Sequence, residues 1–211
     1  MRLYTRYRNS AGERVRIALN LKGLAYDYVP VSSLPPGAYR KINPQGLMPT
    51  LEVDGVFIAQ SAAILDYLEE QYPEPSLLPA DPMDRAQARS FGAHVAAEMH
   101  ALTVTRVRNY LAGPLRAEEG DLEAWLHHWL SLGLEALETN LRARPRQTPF
   151  CFGETPGWAD LHLVPQLDNC RGFGVDLGSY PLLAAINARC RELPAFQRAH
   201  QSQQPDFPTE N

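Results

Sequence analysis

Three groups of residues in this chain have the types and spacing to do chemistry. The first lies in Asn43–Tyr67, NPQGLMPTLEVDGVFIAQSAAILDY. Gln60-Ser61 opens a segment with apolar residues at Ala63, Ile64, Tyr67 and Leu68, so Ser61 reads as the N-cap of a helix. The first N–H groups of a helix have no partner within it, and a helix start therefore attracts an anion. Just upstream, Met48-Pro49 leads into a β-prone run. Proline keeps Met48 extended, permits a cis bond and removes one backbone donor. An extended edge beside an anion-binding helix start is what a small peptide with a carboxylate needs.

The second group is Arg8–Leu19, RNSAGERVRIAL. Asn9 and Ser10 place an amide and a hydroxyl at the start of another helical pattern. There is no C-x-x-C, which argues against disulfide exchange at this corner. A hydroxyl and a helix dipole can stabilise a thiolate brought from outside. The same two residues also read simply as helix caps. The third group is made of arginines: Arg8, Arg106, Arg108 and Arg171. Only Lys22 and Lys41 of the 20 basic residues are lysines, and arginine is the side chain that grips carboxylates bidentately.

The elements that must position these groups can be read in order. Leu3–Tyr7 is a short strand, the segment from Glu13 a helix ending at Gly23, and Tyr26–Val31 a second strand. Pro35-Pro36-Gly37 marks an irregular connection. Leu51–Val53 and Val56–Ile58 flank Asp54-Gly55, a two-residue hairpin signal. The order βαβ, crossover, ββα predicts an α/β, thioredoxin-like N-terminal domain. Prolines 73, 75, 79 and 82 cluster between Tyr72 and Met83, which places a boundary between a domain at 1–80 and one at 86–211. Beyond it the pattern is all-α. One long helix is expected over Arg85–Tyr110, one capped by Asp121 and running to Leu141, then Trp158–Asn169, Pro181–Leu193 and a short turn from Pro194. The tail from Gln201 reads as loosely ordered.

Composition narrows the function classes. The 211 residues are 45% hydrophobic and 21% charged, with net charge −4, so nothing marks a nucleic-acid partner. No apolar run approaches the roughly 20 residues that span a bilayer, and MRLYTRYRN has no apolar signal core. Cys151, Cys170 and Cys190 form neither a disulfide framework nor a metal site, and no histidine spacing suggests a metal. A cytoplasmic setting is the expectation.

Taken as a string, Pro49, strand, turn, strand and Gln60-Ser61 resembles the glutathione-binding half of the soluble glutathione transferases. Arg14–Leu19, R-V-R-I-A-L, resembles the zeta class, the maleylacetoacetate and maleylpyruvate isomerases. The class has Ser-Ser-Cys ahead of this run; here Asn9 stands at the first serine, Ser10 at the second and Ala11 at the cysteine. Asn9 leaves open which group activates the sulfur, and Ala11 argues against reductive dehalogenation. Gly153–Leu161 and Pro205-Asp206-Phe207-Pro208 resemble further signals of the class, so the likeness spans Leu3 to about Thr209.

The resemblance implies a helical transferase C-terminal domain, glutathione as cofactor and a homodimer. It implies that Ser10, Asn9 and Arg8 lie at the thiol, and that Met48, with Pro49 cis, bonds the cysteinyl backbone. Gln60 and Ser61 would hold the γ-glutamyl carboxylate, with Gln45 near the glycyl end. Glu98 and His100 would reach the partner's glutathione, although His100 reads equally as a solvent-facing helix residue. Arg8, Arg106, Arg108 and Arg171 would meet the carboxylates of a small diacid. The implied activity is cis–trans isomerisation of a maleyl-type diacid in the breakdown of aromatic compounds. Conjugation or thioether lysis on an aromatic electrophile, and a non-catalytic binding protein on the same fold, are the alternatives.

Overall fold

The computed structural model describes residues 1–208. Contacts divide the chain into two compact units, Met1–Leu77 with the chain from Arg191 onward, and Leu78–Cys190.

In the first unit the elements are β1 (Arg2–Thr5), α1 (Ser10–Leu21), β2 (Asp27–Pro30), a 3-10 turn (Val31–Ser33), α2 (Ala38–Ile42), β3 (Thr50–Val53), β4 (Val56–Ala59) and α3 (Ser61–Gln71). The sheet order is β2-β1-β3-β4. β1 runs parallel to β2 and antiparallel to β3, and β3 pairs antiparallel with β4. This is the thioredoxin-like arrangement expected. Asp54 and Gly55 both take positive φ, 49° and 81°, the conformation of a type I′ turn, which is why Asp-Gly marks a hairpin.

Helix α1 starts at Ser10, earlier than the expected Glu13, because Asn9 caps it. Every residue from Ala11 to Leu19 is buried, as befits a helix covered on all sides. It ends where Gly23 takes φ +66°. The charges on α1 are therefore inside the unit. Arg16 is fully buried but well partnered: Nε donates to the Ala199 carbonyl at 2.9 Å, Nη1 to Arg6 O and Nη2 to Tyr7 O, both at 3.3 Å. Glu13 lies 3.9 Å from Arg16 and 3.3 Å from Arg191.

The unit is closed by its last elements, α9 (Pro181–Glu192, which begins in the second unit), α10 (Pro194–Ala199) and a 3-10 turn at Gln201–Gln203. The tail is not loose through Phe207. Asp206 accepts hydrogen bonds from the Tyr7 N–H at 3.1 Å and the Tyr28 hydroxyl at 2.6 Å, and Phe207 packs edge-on against Tyr7. Residues counted from sequence with the helical domain thus pack on the first unit, since their partners are β1, β2 and α1. Thr209, Glu210 and Asn211 lie outside the described residues. The proline-rich stretch after α3 is also tied down: Lys22 Nζ meets Glu69 at 2.8 Å and donates to Tyr72 O and Pro75 O, while Glu69 accepts from Ser76 and Leu77.

The second unit contains α4 (Pro82–Ala93), a π-helical turn (His94–His100), α5 (Ala101–Thr103), α6 (Thr105–Ala112), α7 (Glu119–Arg142), α8 (Trp158–Gly172) and most of α9. The single helix expected over Arg85–Tyr110 is interrupted. Thr103 Oγ1 donates back to Met99 O at 2.9 Å, and Val104 is extended at φ −66°, ψ 154°, so helix hydrogen bonding stops there. Met99 fills the space over Gly133, where a Cβ would collide with it. Asp121 is not the cap of α7; it sits at the third helical position and accepts from the Glu118 N–H at 3.0 Å. Leu126, Leu130, Leu134, Leu137 and Leu141 form the buried stripe expected of it. Gly157 precedes α8 and its N–H donates to Asp160 at 2.9 Å; without a side chain it supplies only that half of a capping box.

Candidate functional site

At the first corner, β1 leads through Tyr7 and Arg8 into α1. The side-chain oxygen of Asn9 accepts from the Gly12 N–H, so its acceptor serves the helix. Ser10, half-buried, is the first residue of α1, and Arg8 is exposed. Of the pair, Ser10 is left as the hydroxyl at the positive end of a helix dipole.

The second corner is built from α2 to α3. Met48-Pro49 is cis, as expected; Glu74-Pro75 is cis as well. The Tyr39 hydroxyl and the Asn43 amide both donate to Leu47 O, at 2.8 and 2.7 Å, and both reach Thr50 Oγ1. Asn43 and Tyr39 are buried, so they hold the Leu47–Thr50 turn from behind and aim Met48. Gln60, rather than Ser61, is the residue before α3. It takes φ +72°, ψ 120° and makes no side-chain cap bond. Ser61 is thereby the first helical residue, one position on from the cap assigned by spacing. Gln60 Nε2 donates to Gln45 Oε1 at 2.7 Å, so two amides expected at opposite ends of a peptide form one pair.

Sequence reasoning missed Arg14. The residue is 1% exposed, and its sole hydrogen bond among the described residues runs from Nη1 to Ser61 Oγ at 3.4 Å. Nε and Nη2 are buried without a partner. Burial pushes its pKa down to about 10, which leaves it cationic at neutral pH. The available signal was an arginine inside the apolar run of α1, but Arg16 carries the same signal and is fully partnered.

The helical unit holds the remaining candidates. Glu98 and His100 lie on the π-helical turn, Glu98 exposed and His100 partly so. Arg108 donates to Thr103 O and Thr105 Oγ1, both at 3.1 Å, and stacks over the Phe173 ring at 5.0 Å. Phe173 caps α8 and its carbonyl meets His127 Nε2 at 2.8 Å. Arg171, two residues earlier, is exposed and pairs with Asp168 at 3.1 Å. The structure therefore brings Arg108 to the end of α8 that carries Arg171. Arg106 is exposed on α6.

Two of the chain's three thiols, Cys151 and Cys170, are poor nucleophiles. Burial pushes Cys151 well up and Cys170 up to about 12, so both stay protonated at neutral pH. No group of His, Cys, Asp and Glu among the described residues could hold a metal. No helix among them is long and apolar enough to cross a membrane. What the first unit offers is a shaped peptide edge at Met48-Pro49, an amide pair and a helix start backed by an unpaired cation. These suit a small peptide that brings a carboxylate.

Residues 3–76 match the family model described as glutathione S-transferase, N-terminal domain. A maleylpyruvate isomerase from Ralstonia sp is 42% identical over 210 residues, 98% of this chain and 99% of that protein. Among solved structures, the holo form of a maleyl pyruvate isomerase, a bacterial zeta-class glutathione S-transferase, superposes with TM-score 0.94 at 42% identity, covering 99% of this chain and 100% of that one. A maleylacetoacetate isomerase from Methylobacterium extorquens AM1, solved with bound malonate and glutathione, superposes with TM-score 0.92 at 38% identity over 99% and 100% of the two chains.

Proposed function

This chain belongs to the zeta-class glutathione transferases, the maleylpyruvate and maleylacetoacetate isomerases, and from that premise we propose that it is a glutathione-dependent cis–trans isomerase of a maleyl-type diacid. The observation that carries the reading is 42% identity to such an isomerase over 98% of this chain, together with a first unit that offers the Met48-Pro49 edge and the Gln60-Ser61 helix start.

Glutathione, when bound, supplies a thiolate nucleophile to the activated double bond and is returned unchanged. Residues 1–80 hold it. Met48 presents the backbone edge, Ser61 and the start of α3 receive the γ-glutamyl carboxylate, and the Gln45–Gln60 pair lines the same corner. Ser10 donates a hydrogen bond to the sulfur and, with the α1 dipole, favours its ionised form. Asn9 fixes the start of α1 and so places Ser10.

The region from residue 86 supplies Arg106, Arg108 and Arg171, and residues 1–80 supply Arg8. Arg8, Arg106, Arg108 and Arg171 are the residues proposed for the two carboxylates of the diacid. They neutralise its charge and stabilise the negative charge that grows on it during reaction. The stack on Phe173 and the bonds to Thr103 and Thr105 fix Arg108 before substrate arrives, which is preorganisation. The bound malonate of the Methylobacterium relative is itself a small dicarboxylate. The protein is proposed to act as a cytoplasmic homodimer, with Glu98 and His100 directed to the partner's glutathione.

Turnover of maleylpyruvate or maleylacetoacetate with and without glutathione tests this reading. Isomerisation that requires glutathione, with all of it recovered as free thiol, is the expected result. Stoichiometric consumption of glutathione indicates a conjugating enzyme instead.

A further inference from the structure

The reading of glutathione as the bound peptide leaves one fully buried guanidinium among the described residues without an ion pair, Arg14. Unpaired ions inside a protein cost several kcal/mol, and nearly all are matched by a partner. Arg16, two residues further along α1 and equally buried, obeys the rule with three carbonyls and Glu13. Arg14 does not: no carboxylate among the described residues pairs with it, and two of its three nitrogens have no acceptor. Its one contact points at Ser61, the first residue of an 11-residue helix whose free N–H groups also attract an anion. Fork and helix start therefore face the same spot and lack the same thing.

We propose that Arg14 is the fixed counter-charge for the γ-glutamyl carboxylate of glutathione, acting from behind Ser61 as a positioning residue. The carboxylate seated on Ser61 and the α3 N–H groups completes the buried cation, and the cation holds the Ser61 hydroxyl oriented towards it. Recognition of that end of the peptide then depends on a charge that solvent does not screen, because Arg14 is withdrawn from water. The apo protein carries the cost and glutathione binding relieves it.

Calorimetric titration of the full chain with glutathione and with 4-aminobutanoyl-cysteinylglycine, which lacks only the α-carboxylate, tests this. The parent protein is expected to prefer glutathione by at least about tenfold, the value of a charge-assisted hydrogen bond. Arg14→Met should reduce that preference to roughly threefold or less by weakening glutathione alone, while the melting midpoint of the apo protein stays level or rises. Arg14→Lys, which keeps the charge but not the fork, should retain part of the preference, and it carries the test if Arg14→Met does not fold. An unchanged preference in both variants overturns the proposal. Equal weakening of both peptides with a lower apo midpoint assigns Arg14 to the fold and also overturns it. A parent protein that binds glutathione without preference rejects the Arg14 role alone, whereas one that binds neither peptide rejects the glutathione reading and this role together.

Discussion

The side-chain oxygen of Asn9 accepts the hydrogen bond of the Gly12 N–H, two residues inside the helix that begins at Ser10. That single bond separates two residues that spacing alone left interchangeable. An N-cap replaced by alanine costs roughly 1 kcal/mol of stability. Asn9→Ala is therefore expected to lower the thermal midpoint and to leave the pKa of bound glutathione almost in place. Ser10→Ala should do the reverse, raising the thiol pKa with little loss of stability. Thiolate absorbance against pH, beside a melting curve, reads both; a thiol pKa that moves with Asn9 and not with Ser10 reverses the assignment.

Ser61 stands at the first position of α3 with the Arg14 fork 3.4 Å away. Its hydroxyl is expected to make a charge-assisted hydrogen bond to the γ-glutamyl carboxylate, worth roughly 1.5–3 kcal/mol. Ser61→Ala should accordingly raise the glutathione dissociation constant about ten- to a hundredfold by calorimetry. An affinity equal to the parent's removes Ser61 from the site.

Arg171 pairs with Asp168 at the end of α8, which Arg108 also reaches through Phe173. Arg171→Ala and Arg8→Ala should each lower kcat/KM for the diacid by at least about tenfold, the cost of one lost charge-assisted contact. Glutathione affinity and turnover of a neutral electrophile such as chlorodinitrobenzene should persist. Arg171→Lys should recover part of the loss, because a point charge replaces a fork. Equal losses on the diacid and the neutral electrophile argue that these arginines serve the fold or glutathione.

Glu69 offers a test at low pH. Burial pushes its carboxyl up, but Lys22, the Ser76 hydroxyl and the Leu77 N–H together outweigh that, and its pKa is lowered overall. A lowered folded pKa means stability that is full above the ordinary carboxylate range and lost as pH falls through the folded value. The parent should lose urea resistance below about pH 4.5. Glu69→Gln should unfold more easily at pH 7, by about 3–5 kcal/mol, since it leaves the Lys22 ammonium buried and unpaired. It should also show a shallower decline in acid. A variant with the parent's acid profile takes Glu69 out of the account.

Residue types and spacing by themselves determined the backbone plan of this protein. Asp54-Gly55 specifies a hairpin because two successive positive φ values suit few other pairs, and the leucine stripe of α7 specifies a buried face because its period is that of a helix. The candidate corners at Ser10 and at Met48 to Ser61 were legible for the same reason: proline, caps and turns are local signals. Tertiary structure decided which side chains are left over. Arg14 and Arg16 look alike in R-V-R-I-A-L, yet among the described residues Arg16 meets carbonyls from Arg6, Tyr7 and Ala199 while Arg14 meets only Ser61. The break at Val104 and the anchoring of the tail by Asp206 were likewise decided by partners far along the chain or by a competing hydroxyl bond. Backbone propensity is written within a few residues, whereas burial and the pairing of a charge depend on what the folded chain brings beside it.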